Sequence, residues 1–199
     1  AKAPGEAVLL VTTQPQKRTM TPVITIAGAQ MGATQKNDTR ESVAQRMQHL
    51  IEQAAQRGAQ LIVFPELCLT PFFPRWYYET LEEADQWFED QWPPRGLENA
   101  LQKAKDLNIM VQTSYAEKTL DNHRYNTASL ISSAGEHLMK YRKIHLPGHA
   151  DYIPERPLQH LEKRYFEVGN LGFPVERFYL ENVGEFNLGM LLCNDRRWP

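Results

Sequence analysis

The chain has 199 residues, 42% of them hydrophobic and 23% charged, with 22 basic against 24 acidic side chains and a net charge of −2. That composition suits one globular domain with a core of its own. No basic excess points to nucleic acid, no acidic tail is present, and no apolar run approaches the roughly 18 residues of a membrane helix.

Residues 1–19 lack an initiator Met, and "AVLLV" is too short for the apolar stretch of a signal peptide. They are expected to be a disordered leader, or sequence upstream of the true start, ahead of a domain over 20–199. "PVITIAGAQ" (22–30) is apolar and β-branched, so it predicts a buried strand. In the following stretch Val43, Met47, Leu50, Ile51, Ala54 and Ala55 share one helical face. Asp38 with Glu41 three residues later resembles a capping box, and Gly58 sits where a C-terminal glycine belongs. "AQLIVFPE" predicts a second buried strand, stopped by Pro65. Strand–helix–strand is the unit of a layered α/β fold.

"TPFFPRWYYE" reads as a loop rich in proline and aromatics. Helices are predicted for "LEEADQWFEDQW" and "GLENALQKAKDLN", the second with a stripe of Leu97, Ala100, Leu101, Ala104 and Leu107. "IMVQTSYAEK" predicts a strand, and "YNTASLISSAGEHLMKYRKIHL" two strands around the turn "SSAGE". Residues 147–174 read as a long ordered loop, and "VERFYLENVGEFNLGMLLC" as a hairpin closing at Cys193.

Strands of an α/β sheet present ligand-binding residues at their carboxyl ends. Three such ends carry chemistry: "LIVFPE" presents Glu66, "MKYRKIHLPG" Lys143 and "GMLLC" Cys193. A thiol, a carboxylate and an ammonium form a working set for acyl transfer: attack, proton movement and oxyanion stabilisation. Each has a bland reading by itself. A lone Cys ending an apolar run is usually a packing residue, Glu66 could cap a loop or pair with an Arg, and Lys143 lies in a charged stretch. The three together carry the functional reading. Two cysteines make no disulfide framework, so free thiols and a cytoplasmic chain are expected. Cys68, two residues after Glu66, is expected to be a small packing residue. The lack of C-x-x-C or H-E-x-x-H leaves no zinc signature, and neither a metal nor another cofactor is expected.

"FPEL", "KYRKIHLPG" and "LLCNDRRWP" resemble, in order and spacing, the three signatures of the nitrilase superfamily of carbon–nitrogen hydrolases. "TPFFPRW", "LQHLEKRYFEVGNLGFPV" and "CNDRRWP" are similar to its N-carbamoyl-D-amino acid amidohydrolase branch. The resemblance implies an α-β-β-α sandwich and a catalytic triad of Glu66, Lys143 and Cys193. It implies a second glutamate that positions substrate, matched by Glu162 with Glu167 as a nearby competitor. His145 and His160 match pocket histidines, and Asn194 could offer its backbone N–H to the oxyanion. Arg196 and Arg197 match arginines that hold the substrate carboxylate, a task suited to the planar guanidinium fork. Surface or interface salt bridges are the bland reading of that pair.

The expected activity is hydrolysis of the carbamoyl C–N bond of N-carbamoyl-D-amino acids. A sibling activity on aliphatic amides, N-carbamoylputrescine or β-ureidopropionate is the first alternative, and a non-catalytic assembly fragment the second. The substrate is expected to be a small carboxylate-bearing molecule, with no nucleic acid or membrane partner, and the full-length form a homo-oligomer. The D preference rests on the branch resemblance alone. The family domain usually continues beyond its nucleophile, so the sandwich is expected to be C-terminally incomplete here, and the 199-residue piece inactive or poorly folded.

Overall fold

The structure, a computed structural model, describes residues 7–12, 23–156, 158–181 and 183–198, with side chains from residue 23 onward. Its main sheet has six strands in sequence order: β1 (Ala7–Thr12), β2 (Thr25–Gln30), β3 (Leu61–Val63), β4 (Met110–Lys118), β5 (Arg124–Ile131) and β6 (His137–Arg142). β2, β3 and β4 pair in parallel, with Ile26 opposite Leu61 and Leu61 opposite Met110; the other pairs are antiparallel.

Alternation along the strands assigns the two faces. Ala27, Ala29, Ile62 and Val111 pack against helices α1 (Arg40–Gln56) and α3 (Glu98–Asp106). Ile26, Leu61, Val63, Met110, Leu130 and Tyr141 face the other way, onto a second sheet made of β7 (Val175–Leu180) and β8 (Gly184–Gly189). Successive strand side chains point to opposite faces, so this division follows from the pleat. Helices, six-stranded sheet and two-stranded sheet are three successive layers of the expected α-β-β-α sandwich.

The elements depart from the sequence expectations where tertiary contacts outweigh local signals. Ala7–Thr12, expected within a disordered leader, forms β1 antiparallel to β2, in register from Ala7 opposite Gln30 to Thr12 opposite Thr25. Its Val- and Leu-rich run suits a strand once a partner edge is available. The rest of the expected leader lies outside the described residues. The N-cap of α1 is Thr39, whose side chain accepts from the Ser42 backbone N–H, so the Asp38–Glu41 box does not form. Asp38 instead accepts from the Gln35 backbone and pairs with Arg46 at 3.1 Å. Gly58, at φ +77°, ends the helix as expected. On α1 Ala44 is buried and Ala55 only half-buried, and on the second helix Leu107 lies past the end and is exposed.

The helix expected over 81–92 stops early. α2 spans Leu81–Ala84, a 3-10 turn covers Asp85–Trp87, and the chain then joins β4 in extended form. The Glu89 N–H donates to the Ala116 carbonyl at 2.8 Å, and the Lys118 N–H to the Glu89 carbonyl at 2.8 Å. The buried Glu89 carboxylate takes Arg40 and Arg95 as partners. Two ion pairs to a buried carboxylate outweigh a further turn of helix. The long loop contains one helical turn, α4 (Glu162–Tyr165). That turn rests on an aromatic cluster in which Phe73 contacts Trp87, Phe88, Tyr165 and Phe166.

Candidate active site

β3 ends at Val63, and the chain turns over Glu66–Leu69. Pro65 has no N–H to continue the ladder. Leu67 adopts φ +50°, and Ser114 of β4 pins the turn: its hydroxyl accepts from Leu67 N–H and its carbonyl from Cys68 N–H, each at 3.1 Å. This projects Glu66 from the turn. Lys143 follows β6 directly. Its N–H donates to the Asn126 carbonyl at 2.8 Å, and its carbonyl accepts from Gly169 N–H at 2.9 Å. Gly169 approaches so closely that a Cβ there would lie 1.9 Å from the Arg142 carbonyl oxygen.

The Lys143 ammonium is fully buried between two carboxylates, 2.5 Å from Glu66 Oε1 and 2.7 Å from Glu162 Oε2. Burial by itself would depress its pKa; the charges of Glu66 and Glu162 override this and raise it, so the group stays an ammonium. Asn126 Nδ2 donates to the same Glu66 oxygen at 2.6 Å, and the second Glu162 oxygen meets His160 Nε2 at 3.0 Å. Each carboxylate is therefore oriented from two sides. Asn126 was not singled out from sequence; its one signal is its place on β5, directly beside the Lys143 strand.

Cys193 is not at a strand end. β8 stops at Gly189, Met190 and Leu192 bury themselves against the main sheet while Leu191 is exposed, and Cys193 opens a 3-10 turn over Cys193–Arg197. Its φ is +46°, a conformation that costs a residue with a Cβ roughly 1–2 kcal/mol. The thiol is exposed and faces Glu66. Partial burial, first, and the Glu66 charge push its pKa up, and Lys143 offsets this only in part. One ammonium between two carboxylates leaves a net negative charge beside the thiol, so the resting group is the thiol and the adjacent base for it is Glu66.

Asp195 is the second residue that sequence reading missed. It is 2% exposed, and its oxygens accept from Tyr141 Oη at 2.7 Å, Leu192 N at 3.0 Å, and His145 N and Nδ1, both at 2.9 Å. Burial would raise its pKa, but these donors hold it below the ordinary aspartate value. Burial and the same Asp195 bond push the Tyr141 phenol up. A carboxylate between a thiol and an arginine pair reads as part of a charged cluster, which concealed it.

The remaining expected residues divide. His160 stands beside Glu162 and packs edge-on against Phe72. His145 stacks between Phe173 and Trp198 and is tied to Asp195, and Asn194 Nδ2 donates to its carbonyl at 3.0 Å. His145 and Asn194 line an open cavity of 750 Å³ with Phe166, Glu167 and Trp198. A second cavity, of 340 Å³, has Glu66 in its wall together with Lys36, Phe72, Arg75 and Trp76. Arg196 and Arg197 are exposed; Arg196 Nη1 donates to the Cys193 carbonyl at 3.2 Å. Among the described residues neither arginine pairs with a carboxylate. Glu167, the competitor of Glu162, pairs instead with His123 at 2.8 Å. Cys68 is buried, bonded to Thr113 and the Ser114 carbonyl, with its thiol pKa raised by burial; it packs the core and is not disulfide-bonded. Among the described residues no helix is long and apolar enough to cross a membrane.

The model of the carbon-nitrogen hydrolase family matches residues 25–199, with all the site residues above inside the match. The chain belongs to the carbon-nitrogen hydrolase family. A nitrilase of Pyrococcus abyssi is 33% identical over 157 residues, 77% of this chain and 50% of that protein. A citrullinase of Francisella tularensis is 30% identical over 168 residues, 82% of this chain and 51% of that protein. The chain thus spans about half the length of these curated relatives. A solved amidase of Nesterenkonia sp. AN1, with the acetamide moiety of fluoroacetamide added at its active-site cysteine, shares the fold. Its TM-score is 0.59 at 24% identity, covering 85% of this chain and 55% of that one.

Proposed function

We propose that this carbon-nitrogen hydrolase cleaves the carbamoyl C–N bond of N-carbamoyl-D-amino acids through a Cys193 thioester. The observation that carries the reading is the buried Glu66–Lys143–Glu162 relay, 2.5 and 2.7 Å across its two contacts, whose charges act on the Cys193 thiol. As the thiol sulfur bonds to the ureido carbon, Glu66 takes its proton. The Lys143 ammonium and the Asn194 backbone N–H stabilise the oxyanion. The C–N bond then breaks, and Glu66 returns the proton to the departing ammonia. Glu66 next activates water against the S-acyl carbon, the thiol is regenerated, and the released carbamate separates into amino acid and carbon dioxide. These are the roles of an adjacent base and a fixed cation in covalent acyl transfer.

Two observations support the substrate. Arg196 and Arg197 lie within four residues of the thiol, and among the described residues neither pairs with a carboxylate, which suits an anionic substrate and disfavours a cationic one such as N-carbamoylputrescine. The citrullinase among the relatives favours a carbamoyl group at the reacting end. The D preference and the homo-oligomeric state belong to the same proposal and rest on the family resemblance of "LQHLEKRYFEVGNLGFPV" and "CNDRRWP", and the cytoplasmic location rests on the two cysteines that make no disulfide framework. The second reading, a superfamily amidase for simple aliphatic amides, is favoured by the lining of the cavity beside Glu66, which does not include Arg196 or Arg197.

The test, run on the full-length form, is ammonia release from an N-carbamoyl-D-amino acid, its L enantiomer, and the matching primary amide lacking a carboxylate, with intact-mass detection of an adduct on Cys193. Preferential turnover of the D acid, abolished in Cys193→Ala and with KM raised for that acid alone in Arg196→Lys or Arg197→Lys, is expected. Faster turnover of the neutral amide would transfer the assignment to the second reading. No adduct and no ammonia from any of the three would overturn both.

A further inference from the structure

We propose that Asp195 is a positioning residue for the nucleophile: its carboxylate locks the Cys193 turn onto the segment that carries Lys143, and so aims the thiol at Glu66. This rests on Cys193 being the nucleophile.

The bonds converge on that role. One Asp195 oxygen accepts from the Leu192 N–H at 3.0 Å and from the Tyr141 hydroxyl at 2.7 Å. The other accepts from both the backbone N–H and the ring Nδ1 of His145, at 2.9 Å each. Leu192 immediately precedes Cys193, while Tyr141 and His145 stand two residues before and two after Lys143. A single buried carboxylate therefore bridges the segment 141–145 and the turn 192–195. The Asp195 N–H closes that turn on the Leu192 carbonyl at 3.0 Å, and the Asn194 side chain adds a tie to the His145 carbonyl at 3.0 Å. Cys193 lies inside the closed turn at φ +46°. A left-handed residue persists only where its surroundings over-determine it, and four donors on one carboxylate supply that constraint. Both oxygens are fully engaged and buried, so Asp195 has no lone pair left for substrate; it acts through Cys193.

The arrangement also explains why the thiol meets Glu66 rather than solvent alone. The charges that act on the thiol are those of Glu66, Lys143 and Glu162, and the Arg196 guanidinium donates to the Cys193 carbonyl at 3.2 Å. Lys143 belongs to the clamped segment, and it holds both carboxylates. Loosening the clamp moves the thiol relative to all three at once.

The test uses Asp195→Asn, which keeps the shape but turns one acceptor edge into a donor facing other donors. Tyr141→Phe removes one of the four bonds and leaves the carboxylate in place. Three quantities are read in the full chain: the pH profile of Cys193 alkylation by iodoacetamide, with buried Cys68 as internal reference; kcat and KM separately; and the thermal melt. With the clamp loosened the thiol escapes the Glu66 charge. The alkylation profile of Asp195→Asn is therefore expected to move to lower pH while kcat falls on the order of 10²-fold at nearly constant KM, the scale of a misplaced reacting group. Tyr141→Phe is expected to move both in the same direction by less. Were Asp195 only a structural ion, the melt would fall and Cys68 would become reactive, with the Cys193 profile unchanged. A wild-type Cys193 profile in both variants overturns the proposal, and if Asp195→Asn does not fold, Tyr141→Phe decides. Retained turnover in Cys193→Ala would sink the functional reading instead and leave the alkylation result standing.

Discussion

Replacing Glu162 by glutamine separates the two jobs its carboxylate performs. The side chain is 1% exposed and touches Lys143 Nζ at 2.7 Å and His160 Nε2 at 3.0 Å. Glutamine keeps the shape and one acceptor but removes the charge. A hydrogen bond to a charged group contributes about 1.5–3 kcal/mol. In a chain of this size each kcal/mol shifts Tm by roughly 2–4 °C, so Glu162→Gln should lower Tm by roughly 3–12 °C. The chemical loss should be larger. Lys143 would be left with Glu66 as its one anionic partner, a tighter pair in which Glu66 is a poorer base. Ammonia release should fall on the order of 10²–10⁴-fold, the usual contribution of positioned acid–base catalysis. The thiol should respond in the opposite sense. The Glu162 charge is among the causes that raise the Cys193 pKa, so its removal should speed iodoacetamide labelling at pH 7.5 while turnover drops. Turnover within threefold of wild type beside a lowered Tm would refute the reasoning, because Glu162 would then be holding the fold and not the proton relay.

Gly169→Ala should lower both Tm and turnover, since its Cβ would fall 1.9 Å from the Arg142 carbonyl oxygen, one residue before Lys143; a wild-type melt and rate would show that this backbone contact is not needed. Glu117 titrates near the acid limit. Burial would raise its pKa, but Arg142, Lys140 and Thr127 lower it from 4.5 to about 2. A depressed carboxylate contributes stability that is complete above the unfolded value and is lost as pH falls from there through the folded one. At about 1.4 kcal/mol per pH unit this shift corresponds to roughly 3 kcal/mol, lost between pH 4.5 and about 2. Glu117→Gln should therefore flatten the acid limb of a melt-versus-pH curve, and an unchanged limb would contradict the assignment.

The strands and the two long helices were legible because each has a periodic pattern with one dry face. Ile26 and Ala27, or Leu61 and Ile62, divide between the two layers as a two-residue period requires. Glu66 was legible because it stands where an apolar strand gives way to a polar residue, whereas Lys143, in a charged stretch, was legible only through the resemblance of "KYRKIHLPG". What failed to show were features set by partners far away in sequence. The helix over 81–92 ends because Glu89 is drawn to β4, Arg40 and Arg95, and nothing between Leu81 and Trp92 records that. Thr39 wins the cap because Asp38 is already engaged by Arg46 and the Gln35 N–H. Asn126 and Asp195 escaped notice because a buried polar side chain looks, in sequence, like a surface one.

The ending "LLCNDRRWP" joins two kinds of anchoring around a reactive atom. On its amino side Met190 and Leu192 are fixed by burial among Leu61, Met110, Met139 and Tyr141, a packing that sets depth but tolerates sliding. On its carboxyl side Asp195 is fixed by directed bonds, which set angle as well as depth. Neither alone would hold a non-glycine residue at φ +46°. Together they leave Cys193 as the exposed point of a turn constrained at both ends, with the exposed Arg196 and Arg197 beyond it. The Cys193 thiol is exposed while Leu192 and Asp195 on either side of it are buried, and the cost of its backbone conformation is carried by those buried contacts.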